Sequence, residues 1–250
     1  MVEIREIGRV VPTDKNGELT ENVSSFDLIE STWKEAVEEL THAYQEHFGP
    51  RLHSLYLRGS VARGEAVEGI SDLDTLGILK DENDEMDRLW QKKSKSFFES
   101  RYPFAKIDCS LMPLEELLTS PRKTGVRILL KTQGVLLAGQ DILTEIPAYK
   151  PDVATLAQLS ANLKEEVDTA PKRLPLLNES ERESYIRFLM KQILRGAFLL
   201  VMPREKVFTR DLSQCYSLFS KYYPEQEPSA KKPFCGHWSR PQDTKRWLNS

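Results

Sequence analysis

Two aspartates one residue apart, Asp72 and Asp74, open an apolar stretch that runs to Leu79, and a Gly59-Ser60 pair stands eleven residues before Ser71. Side chains alternate along an extended strand, so Asp72 and Asp74 point to one face at the strand's start. Like charges held that close repel each other and cost stability unless a cation joins them. Mg2+ binds through one or two carboxylates together with substrate phosphates, which makes this pair a candidate metal site. Gly59-Ser60 follows the apolar run Leu52 to Leu57 and precedes a brief helical segment. Unpaired amides at a helix start favour an anion: Gly59 would let a phosphate approach the backbone, and Ser60 would donate its hydroxyl. Each pattern alone has an ordinary explanation, since Gly-Ser occurs in many turns and Ser71-Asp72 reads as an Asp-rich turn.

Together they are specific. Gly59-Ser60 followed by Asp72-Leu73-Asp74 resembles the signature of the DNA polymerase beta-like nucleotidyltransferase superfamily, at a spacing that family allows. The fuller string Gly-Ser-Val-Ala-Arg-Gly-Glu-Ala (59–66), with Ser-Asp-Leu-Asp (71–74), is most similar to the small bacterial branch that includes aminoglycoside adenylyltransferases. The likeness is sharp over about residues 55–80 and general elsewhere. Thr75 departs from the pattern, where the family usually has an apolar residue, and the pattern does not explain the first fifty residues.

The resemblance implies a third carboxylate from a later strand. Asp108, between Ile107 and Cys109 in an apolar run, is the natural candidate; the alternative is a structural ion pair with Lys106 or Arg58. It also implies a two-metal reaction with two Mg2+ ions. Asp72 and Asp74 would hold Mg2+ on the triphosphate of ATP or another nucleoside triphosphate. Asp108 would help hold a second ion or act as general base on an acceptor hydroxyl, with pyrophosphate leaving. Gly59 and Ser60 would bind the terminal phosphates, and Arg63, one turn on, would neutralise charge there.

These residues need a sheet to hold them. Leu52–Leu57, Leu73–Leu79 and Phe104–Met112 read as strands. Helical spacing runs from Ser24-Ser25 to Phe48, with Phe26, Ile29 and Trp33 inward, and from Asp84 to Arg101, with Met86, Leu89/Trp90 and Phe97/Phe98 inward. Short helices around Leu114–Leu118 and Val126–Thr132 and an apolar Val135–Ala138 complete the first half. After Pro151 only helical periodicity remains, over Leu156–Val167, Glu181–Met202 and Leu212–Tyr223, with 223–240 a loop. The expected fold is an α/β (α+β) nucleotidyltransferase domain with a mixed sheet over residues 1–150, carrying an N-terminal extension, then an all-α helical bundle over 151–250.

On the bundle, Arg187, Lys191 and Arg195 recur every four residues, with Leu189, Met190, Ile193 and Leu194 taken as core positions. The stripe reads equally as a solvated face or as a basic rail over the triphosphate, with Lys191 and Arg187 as its nucleotide-binding members. Thr209-Arg210-Asp211 reads as a helix cap.

Composition narrows the class. Of 250 residues, 40% are hydrophobic and 29% charged, enough apolar side chain for a core. No stretch approaches the roughly 20 apolar residues of a membrane span, and Met1 to Ile7 lacks the apolar run of a signal peptide, so a cytoplasmic location is expected. Cys109, Cys215 and Cys235 are too few and scattered for a disulfide framework, and Cys235 with His237 is half a zinc site. Residues 1–150 carry a net charge of −7 and residues 151–250 one of +4. An acidic half suits a polycationic acceptor, so a small hydroxylated molecule resembling an aminoglycoside leads as acceptor, with antibiotic resistance as the implied role. Glu65, Glu68 and the acidic loop 81–85 would contribute to holding that acceptor. Two other readings stand: transfer to tRNA or a protein hydroxyl, with Lys231-Lys232, Arg240, Lys245-Arg246, Trp238 and Trp247 as a basic-aromatic surface, and a nucleotide-binding regulator without catalysis.

Overall fold

In a computed structural model that describes residues 8–231, the chain runs through β1 (Val11–Pro12), α1 (Ser31–Phe48), β2 (Leu52–Arg58), α2 (Gly59–Ala62), β3 (Asp72–Leu79), α3 (Glu85–Arg101), β4 (Lys106–Pro113), α4 (Leu114–Thr119), α5 (Thr124–Gln133) and β5 (Val135–Gly139). It continues through α6 (Val153–Arg173), α7 (Glu179–Leu199), α8 (Met202–Glu205), β6 (Val207–Phe208) and α9 (Leu212–Tyr222). These divide into a unit of residues 20–149 and a unit made of the N-terminal segment to Leu19 together with the chain from Lys150 onward.

The first unit is built on a four-stranded sheet of order β4-β3-β2-β5, in which β3 and β4 are parallel and the other pairs antiparallel. A parallel pair needs a crossover, and α3 supplies it. Strand residues alternate between two cores. Leu55, Leu57, Leu73 and Ile107 face a cluster with Trp33, Leu40, Tyr44 and Phe48 of α1 and Phe98 of α3. Tyr56, Leu76, Ile78 and Met112 face Leu117 of α4 and Leu130 of α5. The sheet is thus apolar on both sides, as a covered sheet must be, and each large buried side chain contributes about 1.5–3 kcal/mol.

Helix ends differ from the sequence expectation for local reasons. Ser25 caps only a 3-10 turn over Phe26–Leu28, its hydroxyl accepting from the Asp27 amide at 3.2 Å, and α1 starts at Ser31. Phe26 is therefore exposed while Ile29 and Trp33 are buried. On α3 the buried stripe is Asp87, Ser94 and Phe98. Met86, Leu89 and Phe97, expected inward, are exposed, because Arg51 draws the Asp87 carboxylate in at 2.9 Å and so sets the helix's rotation. The acidic loop is held in the same way: Asp81 also pairs with Arg51 at 2.9 Å, and Asp84 forms a capping box with Asp87.

The second unit is helical, with one addition that periodicity could not reveal. Val11 and Pro12 pair antiparallel with Phe208 and Val207, so the N-terminal segment belongs with the helices and not with the sheet domain in which the sequence reading placed it. The Arg9 amide donates to Asp211 Oδ2 at 2.8 Å, and Thr209 Oγ1 donates to the Arg9 carbonyl at 2.8 Å. Thr209 and Asp211 were expected to cap a helix; Asp211 sits at the α9 cap position but makes no side-chain cap bond there and binds the N-terminal segment instead. Gly8 has φ +98°, and a Cβ on it would collide with the Asp211 side chain. Asn178 and Glu181 form a capping box at the start of α7, and Leu194, Tyr216 and Phe219 join α7 to α9. Ile193, expected in the core, is exposed. The expected loop 223–240 begins with a 3-10 turn over Pro224–Gln226 and helical residues to Lys231; Lys232, Cys235, His237, Trp238, Arg240, Lys245, Arg246 and Trp247 lie outside the described residues. No described helix is long and apolar enough to cross a membrane.

Candidate active site

The candidate residues collect at one end of the sheet because register puts them there. Arg58 closes β2 and pairs opposite Asp74 on β3, and Asp74 pairs in turn with Asp108 on β4. Strand alternation gives all three the face that carries Tyr56, Leu76 and Met112, beyond the apolar cover, and their side chains keep 25%, 26% and 46% exposure. The row therefore reads cation, anion, anion across three neighbouring strands. Arg58 Nη2 lies 3.7 Å from Asp74 Oδ1 and 3.4 Å from Asp108 Oδ2.

Gly59 follows Arg58 with φ +82°, a conformation that costs other residues about 1–2 kcal/mol. Its missing side chain also leaves room for Asp74: a Cβ there would stand 3.3 Å from Asp74 Cγ and closer still to Oδ2. Ser60, half-buried, follows in α2, and its carbonyl accepts from the Arg63 and Glu65 amides at 3.2 and 2.9 Å. Asp72 is exposed at the start of β3, opposite Lys106 in register. The loop before it is fastened by the Ser71 hydroxyl, which accepts from the Val67 amide at 2.9 Å, and by the Gly69 amide, which donates to the Phe104 carbonyl at 2.6 Å.

The resemblance implies three carboxylates, Asp72, Asp74 and Asp108, for two ions. Among the described residues no three His, Cys, Asp or Glu side chains gather closely enough to hold a metal. What the sheet brings together is the pair Asp74 and Asp108, both aimed at one position that a guanidinium fills. That pair fits Mg2+ in charge and donor chemistry, since hard carboxylate oxygens that converge on one cation are what such an ion takes from a protein when phosphates supply the rest.

The resemblance places Arg63 at the phosphates. It is buried, with Nε on Glu65 at 2.8 Å and Nη1 on Gln133 at 2.8 Å, so it ties the turn after α2 to the end of α5. In the helical unit, Arg187 lies 3.5 Å from Glu183, Lys191 is half-buried, and Arg195 Nε donates to the Arg210 carbonyl at 3.3 Å.

Two features of the site escaped the sequence reading. Arg58 entered it only as an alternative partner of Asp108; the signal was a charge ending an apolar strand just before Gly59. Thr75, the departure from the family pattern, is fully buried on the opposite face, and its hydroxyl donates to the Asp108 carbonyl at 2.9 Å. That proton is then committed, so the Tyr44 hydroxyl, 3.0 Å away, is the donor to Thr75. Burial, with Cys109 and Asp108 nearby, pushes the Tyr44 phenol well above its ordinary range, which keeps that proton in place. Ser110 Oγ donates to Asp108 Oδ1 at 2.9 Å. The third aspartate is thus held by its backbone on one face of the sheet and by its side chain on the other.

No curated protein matches the chain. Among solved structures, a spectinomycin adenyltransferase, AAD(9), from Enterococcus faecialis with ATP and spectinomycin is similar at 13% identity and a TM-score of 0.51, over 82% of this chain and 90% of that one. A toxin-antitoxin structure with AMP-PNP is similar at 17% identity and a TM-score of 0.33, over 57% of this chain and 98% of that one. In sequence, residues 37–176 match the family described as "Nucleotidyltransferase domain". That span is more than half of the chain and contains the whole Arg58, Asp74, Asp108 row with Gly59 and Ser60 beside it, and on this ground the protein belongs to the nucleotidyltransferase domain family.

Proposed function

We propose that the protein transfers a nucleoside monophosphate, AMP from ATP, to a hydroxyl of a small acceptor of aminoglycoside type, and that this serves antibiotic resistance in the cytoplasm. The observation that carries the reading is the convergence of Asp74 and Asp108 on one cation position beside the Gly59-Ser60 turn. The fold it shares with a spectinomycin adenyltransferase that holds ATP and spectinomycin supports the choice of nucleotide and acceptor.

In this reading Gly59 and Ser60 bind the terminal phosphates through the backbone and the Ser60 hydroxyl. One carboxylate oxygen of Asp108 takes the proton from the acceptor hydroxyl as the hydroxyl oxygen attacks the α-phosphorus and the bond from that phosphorus to the β-phosphate oxygen breaks, releasing pyrophosphate. The Ser110 hydroxyl is bonded to Oδ1, so Oδ2, which Arg58 Nη2 approaches to 3.4 Å, is the oxygen assigned to that proton. Asp74 and Asp108, with Asp72 at the mouth, would hold Mg2+, which when bound neutralises the triphosphate and polarises its phosphoryl oxygens. Lys191 and Arg187 of the helical unit are the further nucleotide-binding residues of the proposal.

The test incubates the protein with Mg2+, labelled nucleoside triphosphates and a panel of aminoglycosides, tRNA and cell extract, and asks which fraction acquires label. Label on an aminoglycoside, from ATP above other nucleotides, is expected, and Asp74→Asn or Asp108→Asn should reduce it at least about a hundredfold. Label confined to tRNA or protein would overturn the acceptor, and a fully active Asp74→Asn would overturn the site.

A further inference from the structure

Arg58 is placed as a cation where the family's chemistry calls for a metal, and its bonding is incomplete. Its contacts with Asp108 and Asp74, at 3.4 and 3.7 Å, are longer than the roughly 2.7–2.9 Å of a charge-assisted hydrogen bond. Charge holds it there, without the locked fork a guanidinium makes with a carboxylate. Its Nε is buried and has no hydrogen-bond partner, a condition that costs stability until an acceptor arrives. The residue ends β2 and is followed directly by Gly59 and Ser60, so phosphate bound at that turn would lie within the guanidinium's reach.

We propose that Arg58 is a resident counter-ion that blocks the Asp74 and Asp108 pair against free divalent metal and yields it only when a nucleotide's phosphates draw the guanidinium away. The inference rests on the reading of that pair as the metal and nucleotide site. It makes metal and nucleotide enter together. In the unliganded protein the guanidinium already compensates the two carboxylates, so a metal ion alone must compete with it. A triphosphate offers Arg58 oxygen acceptors, the unsatisfied Nε among the donors they complete, and leaves the aspartates to the metal. By linkage, each ligand then raises the affinity for the other by the same factor.

The probe is Mn2+, followed by electron paramagnetic resonance with and without a non-hydrolysable ATP analogue, on the native chain, Arg58→Gln and Arg58→Lys. Without nucleotide, Arg58→Gln should bind Mn2+ at least about tenfold more tightly than the native chain, while Arg58→Lys, which keeps the charge, stays close to it. On the native chain itself the analogue should tighten Mn2+ by at least about tenfold, and failure to do so would overturn the proposal even if Arg58→Gln does not fold. Equal native affinities with and without analogue, unchanged free Mn2+ binding in a folded Arg58→Gln, or equal tightening in Arg58→Lys would each overturn the proposal. An Asp74→Asn control separates the two levels. If Asp74→Asn keeps native Mn2+ binding with the analogue present, the site assignment is at fault. If it loses that binding while Arg58→Gln leaves free Mn2+ affinity unchanged, only the role of Arg58 fails.

Discussion

At the scale of single residues, the site depends on what is absent as much as on what is present. Gly59 combines a left-handed backbone with a space that Asp74 uses, so Gly59→Ala acts twice: the backbone is strained by about 1–2 kcal/mol and the Asp74 carboxylate must move. Thermal denaturation should show a modest loss of stability and transfer should fall far more than stability does; an alanine variant with native activity would mean that the position of Asp74 is not critical. The same logic revises an expectation about the aspartates. From sequence, Asp72 and Asp74 look like a repelling pair whose neutralisation would stabilise the metal-free protein. With Arg58 beside Asp74 and Asp108, that repulsion is already compensated, and Asp74→Asn removes a partly exposed ion pair worth at most about 1 kcal/mol. The aspartates were legible because a short motif names them. Arg58 was not, because its role comes from strand register, which pairs it with Asp74 across a thirteen-residue connection whose sequence does not state that register.

At the scale of elements, apolar periodicity located three strands of the four-stranded sheet and nearly every long helix, and marked the fourth strand only as an apolar stretch, since burial on one or two faces is written directly into side-chain order. It failed where a polar group decides. In α3 the Asp87 carboxylate, only 1% exposed, replaces an apolar anchor and turns Met86 and Phe97 outward. Burial pushes the Asp87 carboxyl upward, but the Arg51 guanidinium and the Asp84 amide outweigh it and hold the group below the ordinary aspartate value of 3.8. A carboxyl lowered in the folded state adds stability that is complete above its unfolded value and is lost as pH falls through the folded one. Arg51→Met should therefore cost about 2 kcal/mol at neutral pH, because Arg51 itself keeps some solvent, and the gap between variant and native protein should close as pH drops below 3.8. Urea midpoints measured from neutral pH to pH 2 check this; a gap that stays constant would mean that packing of the arginine stem, and not its charge, supports α3.

At the scale of the whole molecule, the feature least visible in sequence is the return of the N-terminal segment to the helical unit. A two-residue strand has no periodicity to detect, and its partner, Val207–Phe208, lies in a stretch where every other signal is helical. Yet Val11 and Leu19 are fully buried, and the Arg9 amide reaches Asp211 across 202 positions of chain. Deleting residues 1–19 should destabilise the helical unit by about 3 kcal/mol, read as faster proteolysis within 150–231 while the sheet unit resists. Uniform resistance would show that the segment is dispensable. The same connection sets an order of events during synthesis. The sheet unit, contiguous over residues 20–149, can finish as soon as it leaves the ribosome, whereas residues 8–19, made before it, must wait for about two hundred more. At about 5–20 residues per second that is a delay of about 10–40 s, during which Val11 and Leu19 have no home. The helical unit is therefore the late-closing, high-contact-order part of the chain, and a bulky fusion at the N-terminus should lower the yield of folded protein more than the same fusion placed elsewhere.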